Sequence, residues 1–333
     1  MEKFYPEFTA GFNSLLAAAA GRRVAVIGHA RPDGDCIGAQ VALARVLSAR
    51  GVDVICVNAD PVPRRLRFLA LGMTFLRTDE ILGPAAGYSA ILVDCADHAR
   101  AGVRLKAAFP NPLGNIDHHM SDKGFAQINI VDSASAATCE ILAGAMLDEG
   151  IQLDPQAAQA LYTGILTDTG QFRFASTSRR CFVLAGELVA RGASPAVAGY
   201  ELYERETPGR LRLLERFLAS LRLECGGRVA VGELTPEVFA ETATGPEDTE
   251  GLVDYARSMD GVEIGVLIER QADGGVKASL RAKEAFHRVD LAAAEFGGGG
   301  HACAAGLNVR HPPGDFRDKL IAAIERRLAA HAP

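Results

Sequence analysis

Apolar residues in the first part of the chain come in short continuous runs separated by helical periods. Val24-Ala-Val-Ile-Gly28 is apolar throughout and predicts a strand over 24–29 buried on both faces. Ile37 to Arg50 has helical spacing and ends at Gly51. Val52 to Val57 predicts a second strand, and Asn58-Ala-Asp-Pro61 a turn. Residues 62–87 read as a short helix and loop. Ala90-Ile-Leu-Val-Asp94 is a further buried strand, and Asn115-Ile116 leads into Asp117-His118-His119. Helices are predicted over 133–150, from Asp154-Pro155 to about Thr167, and over 177–192, with Asp154 as N-cap and Pro155 at the first helical position. Strands alternating with helices predict a parallel sheet with helices on both faces.

After a partly helical linker over 193–207 the texture changes. Pro208 opens an amphipathic helix, Gly209 to Leu223. Strands are predicted at 228–233, 262–269 and 276–281, the last two joined by a turn at Gln271–Gly275. A helix at 290–296, the run Gly297–Gly300 with His301, and a helix from about Pro313 complete the chain. The expected organisation is a domain over 1–192, the linker, and a smaller α/β domain over 208–333, with the active site in the cleft between the two.

Composition narrows the functional classes. The chain has 333 residues, 48% hydrophobic and 23% charged, as expected for two globular domains. A net charge of −6 argues against tight binding of long duplex nucleic acid, but leaves room for a short oligonucleotide or nucleotide. The cysteines at 36, 56, 95, 139, 181, 225 and 303 are odd in number and form no CxxC pair, which points to a reducing cytoplasm rather than to disulfides or structural zinc. The first residues lack a basic stretch before their apolar run and read as an amphipathic helix packed on the first domain, not a secretory signal. No apolar stretch approaches the roughly 18 residues of a membrane span.

The stretch His29-Ala-Arg-Pro-Asp33-Gly-Asp35 lies where the first strand ends. Its aspartates have a plain reading as helix caps and a chemical one as half of a metal site. Asp94, Asp117, His118, His119 and Asp168 also fall at strand ends or turns, which a parallel sheet gathers at one edge. Several carboxylates meeting there repel one another unless cations intervene. Oxygen and imidazole donors without thiolate favour Mn²⁺ or Mg²⁺. The set is large enough for two ions sharing a carboxylate, an arrangement that serves phosphoester hydrolysis.

HxxxDxD, a strand-end Asp, Asp-His-His and Asp168, followed by the glycine run with His301 and Ala304-Ala-Gly306, together resemble the DHH phosphoesterase superfamily over nearly the whole chain. Gly164-Ile-Leu-Thr-Asp168-Thr-Gly-Gln-Phe-Arg173-Phe resembles its short two-domain branch that degrades nanoRNA and dephosphorylates 3′-phosphoadenosine 5′-phosphate (pAp). The resemblance implies two divalent ions, Mn²⁺ first with Mg²⁺ and Co²⁺ as alternatives. His29, Asp33 and Asp94 would hold one, and Asp35, Asp94, His118 and Asp168 the other. His119 would face the substrate phosphate or leaving oxygen, Asp117 would orient a histidine, and water would be the nucleophile. Arg281, with Ser279 in a Ser-x-Arg element, and Gly298, Gly299, Gly300 and His301 would bind substrate. Read by itself, the glycine run is either a phosphate-binding nest or a flexible loop with a surface histidine, and Arg173 either a phosphate contact or a salt-bridge partner. Ala39 departs from the family, which often has a small hydroxyl residue after the glycine matched by Gly38.

His98 is expected as a helix start or solvent contact, and His287, His311 and His331 as surface residues. Cys36 and Cys95 are expected as small buried apolar groups, and Glu140 as structural or behind the ligands. The implied substrates are short oligoribonucleotides and pAp, with a cyclic-dinucleotide phosphodiesterase as the alternative. A homodimer is compatible with this reading. The glycine–histidine run argues against a pyrophosphatase, the size and charge against a RecJ-like exonuclease, and the intact ligand set against a catalytically dead nucleotide sensor.

Overall fold

A computed structural model describes residues 3–83 and 85–330, so His331 lies outside the described residues. The chain forms two compact units, 1–205 and 206–333. Residues 195–204, within the expected linker, are helical turns of the first unit.

Strands β1 (Arg23–Ile27), β2 (Asp53–Asn58), β3 (Phe75–Arg77), β4 (Ser89–Val93), β5 (Gly114–Asp117) and β6 (Ile128–Val131) make one sheet in the order β3-β2-β1-β4-β5-β6, every pair parallel. The helices of this unit are α1 (Thr9–Ala19), α2 (Gly34–Ala49), α3 (Thr78–Ile81), α4 (Val103–Ala108), α5 (Thr138–Asp148), α6 (Pro155–Asp168), α7 (Arg179–Ala190) and α8 (Pro195–Gly199). Alternate strand residues serve opposite faces. Val24, Val26, Ile91 and Val93 pack with Phe12, Ile37, Ile141 and Leu161 from α1, α2, α5 and α6, while Ala25, Ile27, Ala90 and Leu92 pack with Ile81 of α3 and Leu105 of α4. Both faces are therefore buried, which is why these strands are continuously apolar.

β3 and β6 were not anticipated. Each is an edge strand of three or four residues, too short for a pattern to stand out. Helix α5 starts at Thr138 rather than Ser133, because Asp132 to Ala137 form a loop stitched to Arg180 and Glu140.

Helices α2 and α6 run in opposite directions at very close range. A Cβ on Gly38 would lie 2.5 Å from the Ala160 carbonyl oxygen, and one on Gly34 2.4 Å from Thr167 Oγ1. Glycine at both positions lets the helices approach closely enough for Asp35, at the start of α2, to meet Asp168, at the end of α6.

The second unit has a mixed sheet, β11-β12-β10-β9-β8-β7, from β7 (Arg222–Glu224), β8 (Val229–Leu234), β9 (Ile264–Arg270), β10 (Val276–Ala282), β11 (Gly299–His301) and β12 (Ala304–Val309); β8 and β9 pair parallel and the rest antiparallel. Its helices are α9 (Pro208–Ser220), α10 (Pro236–Thr242), α11 (Leu252–Arg257), α12 (Val289–Ala294) and α13 (Phe316–Ala329). α12 and α13 cover one face of the sheet, and α9 and α11 the other. α9 stops at Ser220 because Leu221 turns extended into β7, shortening the helix expected to reach Leu223.

The glycine run is not an open loop. Gly299–His301 pair with Ala304–Gly306 as an exposed edge strand, so this segment spends its backbone on a ladder rather than a nest. A Cβ on Gly298 or Gly300 would lie 2.3 Å from a β12 carbonyl oxygen, so glycine there serves close strand packing.

The close helix pair yields a paired prediction. Gly38→Ala is expected to destabilise the first unit by about 1–3 kcal/mol, because the obstacle is backbone, and to lower its melting temperature by roughly 2–10 °C. Gly186→Ala, mid-helix in α7 with nothing within 4 Å of the new methyl, is expected to raise it through helix propensity. Differential scanning calorimetry of the two variants checks both signs.

Candidate metal centre

Strands β1, β4 and β5 are neighbours, and their carboxyl ends deliver His29, Asp94 and Asp117 to one edge. Asp94 adopts a left-handed backbone (φ 58°) with its N–H bonded to the Ile116 carbonyl, 3.0 Å. Asp tolerates this conformation better than most residues, and it places the side chain across the ends of the strands.

The two carboxylate oxygens of Asp94 face two different donor groups. Oδ2 lies 3.3 Å from His29 Nε2, which is also 3.6 Å from Asp33 Oδ2. Oδ1 lies 3.6 Å from His118 Nε2, which is 3.3 Å from Asp168 Oδ2 and 4.0 Å from Asp35 Oδ2. The structure thus brings together all six residues expected to ligate metal, in two groups that share Asp94.

These distances are long for hydrogen bonds but near the spacing of neighbouring ligand atoms around one cation with bonds of ~2.1 Å, which is roughly 3–3.5 Å. The imidazole tautomers point the same way. His29 Nδ1 lies 2.9 Å from the Ala30 carbonyl and His118 Nδ1 3.3 Å from the Ser135 carbonyl, so each donates there. Each Nε2 is then turned towards carboxylate oxygens. Between such a nitrogen and the oxygens that face it there is room for a proton or for a cation in its place, and an all-O/N set of this kind fits a divalent ion.

The carboxylates are held by backbone. Asp33 Oδ1 accepts from Cys36 N (3.1 Å) and caps α2, leaving Oδ2 for His29. Asp35, fully buried, accepts from the N–H groups of Thr138 (2.6 Å) and Cys139 (2.8 Å) at the start of α5, a helix with no cap of its own. Capping and site-building are therefore the same act, performed by different oxygens or on a different helix from the one the sequence suggests.

Mutual repulsion shows in the protonation equilibria. Burial, then the Asp94 carboxylate, pushes Asp35 up to about 7. Burial, followed by Asp35, Asp33 and Asp94, pushes Asp168 well above the ordinary carboxylate range. His118 is raised: burial opposes its charge, but Asp94 and Asp35 outweigh that.

Asp117 and His119 form a separate pair. His119 Nδ1 lies 2.7 Å from Asp117 Oδ1 and only 3.7 Å from Asp94 Oδ1. Burial opposes the Asp117 charge, yet the His119 hydrogen bond holds its carboxyl below the usual range. His119 Nε2 lies 2.8 Å from Arg100 Nη1.

Sequence reasoning missed Arg100, Thr138 (Oγ1 3.3 Å from Asp94 Oδ1), Ser135, and Asp122, which accepts from Asn115 Nδ2 at 2.6 Å. A small hydroxyl just before Glu140 and a basic residue just past the strand-end Asp94 were the available signals. Glu140 is fully buried, bonds Arg180 Nε at 2.9 Å and accepts from Ala136 N, bracing the loop whose Ser135 carbonyl orients His118.

Cys36 lies beside His29 and Asp94, but burial pushes its thiol up to about 11. All seven cysteines are free thiols. One histidine expectation is met in part and one is corrected. His98 opens the turn His98–Ala101, as expected of a helix start, but is buried and stacked on Phe125; His287, expected at the surface, is buried beside Glu263 (3.0 Å) and packs on Phe286. His311 is exposed. Arg173 is exposed and bonds its own turn at Gly170 O (2.8 Å), so it does not join the donor groups. In the second unit Arg281 is partly buried at the end of β10, opposite Ala304, with Nη1 on its own strand at Leu280 O.

A parallel sheet with two carboxylate–imidazole donor groups at its carboxyl edge defines a metal-dependent hydrolase of the DHH type. The chain belongs to the DHH family: residues 23–165 match the DHH family N-terminal domain, and residues 226–330 the DHHA1 domain. A bifunctional oligoribonuclease and PAP phosphatase NrnA from Thermus thermophilus is 33% identical over 85% of this chain and 82% of its own. The protein of that name from Bacillus subtilis is 26% identical over 91% and 94%. An exopolyphosphatase-related protein from Bacteroides fragilis shares the fold, with TM-score 0.88 over 97% of both chains at 23% identity. So does RecJ of Thermus thermophilus, solved with Mn²⁺, with TM-score 0.59 over 98% of this chain and 55% of its own at 14% identity. No single helix among the described residues is long and apolar enough to cross a membrane.

The raised carboxyl and imidazole groups fix the sign of a pH effect. Asp35 binds its proton up to about pH 7 when folded but only to about pH 4 when unfolded. The metal-free fold thus loses stability as pH rises through that window. Asp117, shifted down, acts only below about pH 4 and does not oppose this. Chelator-treated protein is expected to melt several degrees lower at pH 8 than at pH 5, with added Mn²⁺ raising the melting temperature more at pH 8. Equal metal-induced shifts at the two pH values, read by thermal unfolding, would contradict the assignment.

Proposed function

We propose that this chain is a two-metal phosphoesterase that hydrolyses short oligoribonucleotides to mononucleotides and pAp to AMP. The observation supporting it best is Asp94, whose two oxygens face the His29–Asp33 and the Asp35–His118–Asp168 groups. Divalent ions held by these residues, Mn²⁺ in our reading, would lower the pKa of water and neutralise charge gathering on the scissile phosphate. The names of the relatives supply the substrate class.

The chain's own residues then divide the remaining work. Asp33 presents its free Oδ2, and Asp35 a carboxylate held by two backbone N–H groups, from the start of α2. The carbonyls of Ala30 and Ser135 hold His29 and His118 with Nε2 inward. Asp117 holds His119 against the phosphate side of the site. In this reading Arg281, His301 and the open edge of the Gly299–His301 strand are the second unit's substrate contacts, without a backbone nest. Burial of Asp35 and Asp94 keeps bulk water from screening these charges. The free thiols accord with work in a reducing cytoplasm.

The test is to incubate the Mn²⁺-supplemented protein separately with a 5′-phosphorylated diadenylate, pAp, cyclic di-AMP and pyrophosphate, and to follow products by chromatography. Turnover of the first two is expected; failure on both overturns the reading, and preference for cyclic di-AMP replaces it with the cyclic-dinucleotide alternative. Asp94→Asn keeps a side chain that tolerates the left-handed backbone. It is expected to lower kcat by at least ~10³-fold while the circular dichroism spectrum stays native.

A further inference from the structure

Arg100 belongs to none of the motifs that mark the site, yet its side chain reaches it. Nη1 lies 2.8 Å from His119 Nε2, and His119 Nδ1 lies 2.7 Å from Asp117 Oδ1. A guanidinium only donates, so Nε2 must be the acceptor, and the imidazole proton sits on Nδ1 and is given to Asp117. Both ring nitrogens of His119 are engaged in this chain. The free end of the chain is the guanidinium: its other N–H groups are committed to no hydrogen bond or ion pair among the described residues.

The backbone beneath Arg100 is fixed. It lies on a short turn, His98–Ala101, that Asp97 caps through Ala99 N at 2.6 Å. Buried His98 anchors the turn by stacking on Phe125, ring centroids 5.3 Å apart. The Arg100 carbonyl accepts from Ala30 N at 2.7 Å, one residue past His29. A permanently charged planar fork is thus bolted to the turn that carries the candidate ligands, one imidazole ring away from Asp94.

We propose that Arg100 is a catalytic residue whose guanidinium binds a non-bridging oxygen of the scissile phosphate, and that Asp117 and His119 form the strut that aims it. This rests on the phosphoesterase reading above. A fork donating two N–H groups suits a phosphate oxygen pair better than an imidazole whose nitrogens are both occupied. Its charge is fixed at every working pH and opposes the negative charge that grows on the phosphate in the transition state. Its position is set before substrate arrives, which is where such a contact gains its strength. His119, expected to face the phosphate itself, becomes a positioning residue.

The experiment uses the full-length, Mn²⁺-loaded protein. Arg100→Gln is expected to weaken inorganic phosphate binding, measured by calorimetry, and to lower kcat/KM on pAp by about 10²-fold or more, while Mn²⁺ affinity and melting temperature stay at wild-type values. Arg100→Lys should recover only part of the loss, and guanidinium ion at low millimolar concentration should restore part of the activity of Arg100→Ala. His119→Gln should also lower kcat/KM, and the His119→Gln, Arg100→Gln double variant should be little worse than Arg100→Gln alone, as expected of one unit. Wild-type phosphate affinity in Arg100→Gln overturns the proposal, and so does loss of its Mn²⁺ binding, which would make Arg100 a support of the metal site. Should the wild-type protein turn over neither pAp nor a dinucleotide, the phosphoesterase reading fails, and the phosphate titration still decides whether Arg100 binds the anion.

Discussion

Like charges forced together govern this molecule. Asp33, Asp35, Asp94 and Asp168 converge around the Nε2 atoms of His29 and His118, and Asp35 and Asp94 have almost no access to water. No fold would retain such a cluster without compensation. Part of it comes from the chain: helix-start N–H groups on Asp33 and Asp35, and a hydroxyl on Asp94. The remainder calls for cations from outside. The fold arranges the scaffold so that this demand arises at one place, the carboxyl edge of the parallel sheet.

Much of the supporting structure exists to keep that edge rigid. The glycines between α2, α5 and α6 bring the end of one helix against the starts of two others. The Arg180–Glu140 pair, with Asp132 and Ser135, locks the loop that orients His118. Tyr5 joins the same network through Ser135 Oγ at 2.6 Å and lies under the Arg180 guanidinium. A residue near the beginning of the chain thereby steadies a histidine more than a hundred positions later.

The buried strands β1, β2 and β4 were legible because continuous apolar runs mark strands covered on both sides. The convergence of the candidate ligands was legible because His29 and Asp94 follow strands of a parallel sheet, where topology alone implies a shared edge, and Asp33 and Asp35 follow closely in sequence. β3 and β6 were not, being too short for periodicity. The conformation of the glycine run was not legible, because glycine permits both an anion nest and a tight hairpin, and only the partner strand decides between them. The burial of His98 and His287 was not legible, because it depends on aromatic neighbours supplied by tertiary packing. Arg100 left only the weak signal of a basic residue shortly after the strand-end Asp94: its meaning lies in His119, nineteen residues away, and no local spacing encodes that contact.

The way Asp33, Asp35 and Asp94 share out their oxygens has a consequence for how the centre ages and evolves. The separation between the two donor groups is not set mainly by how helices happen to dock. It is spanned by the width of one carboxylate and by a two-residue step along one turn, both fixed by covalent bond lengths. Thermal breathing or a distant substitution can tilt the whole centre or loosen its hold, but it changes this ruler very little. Drift elsewhere in the chain is therefore free to retune what enters the site while the spacing at its heart stays constant.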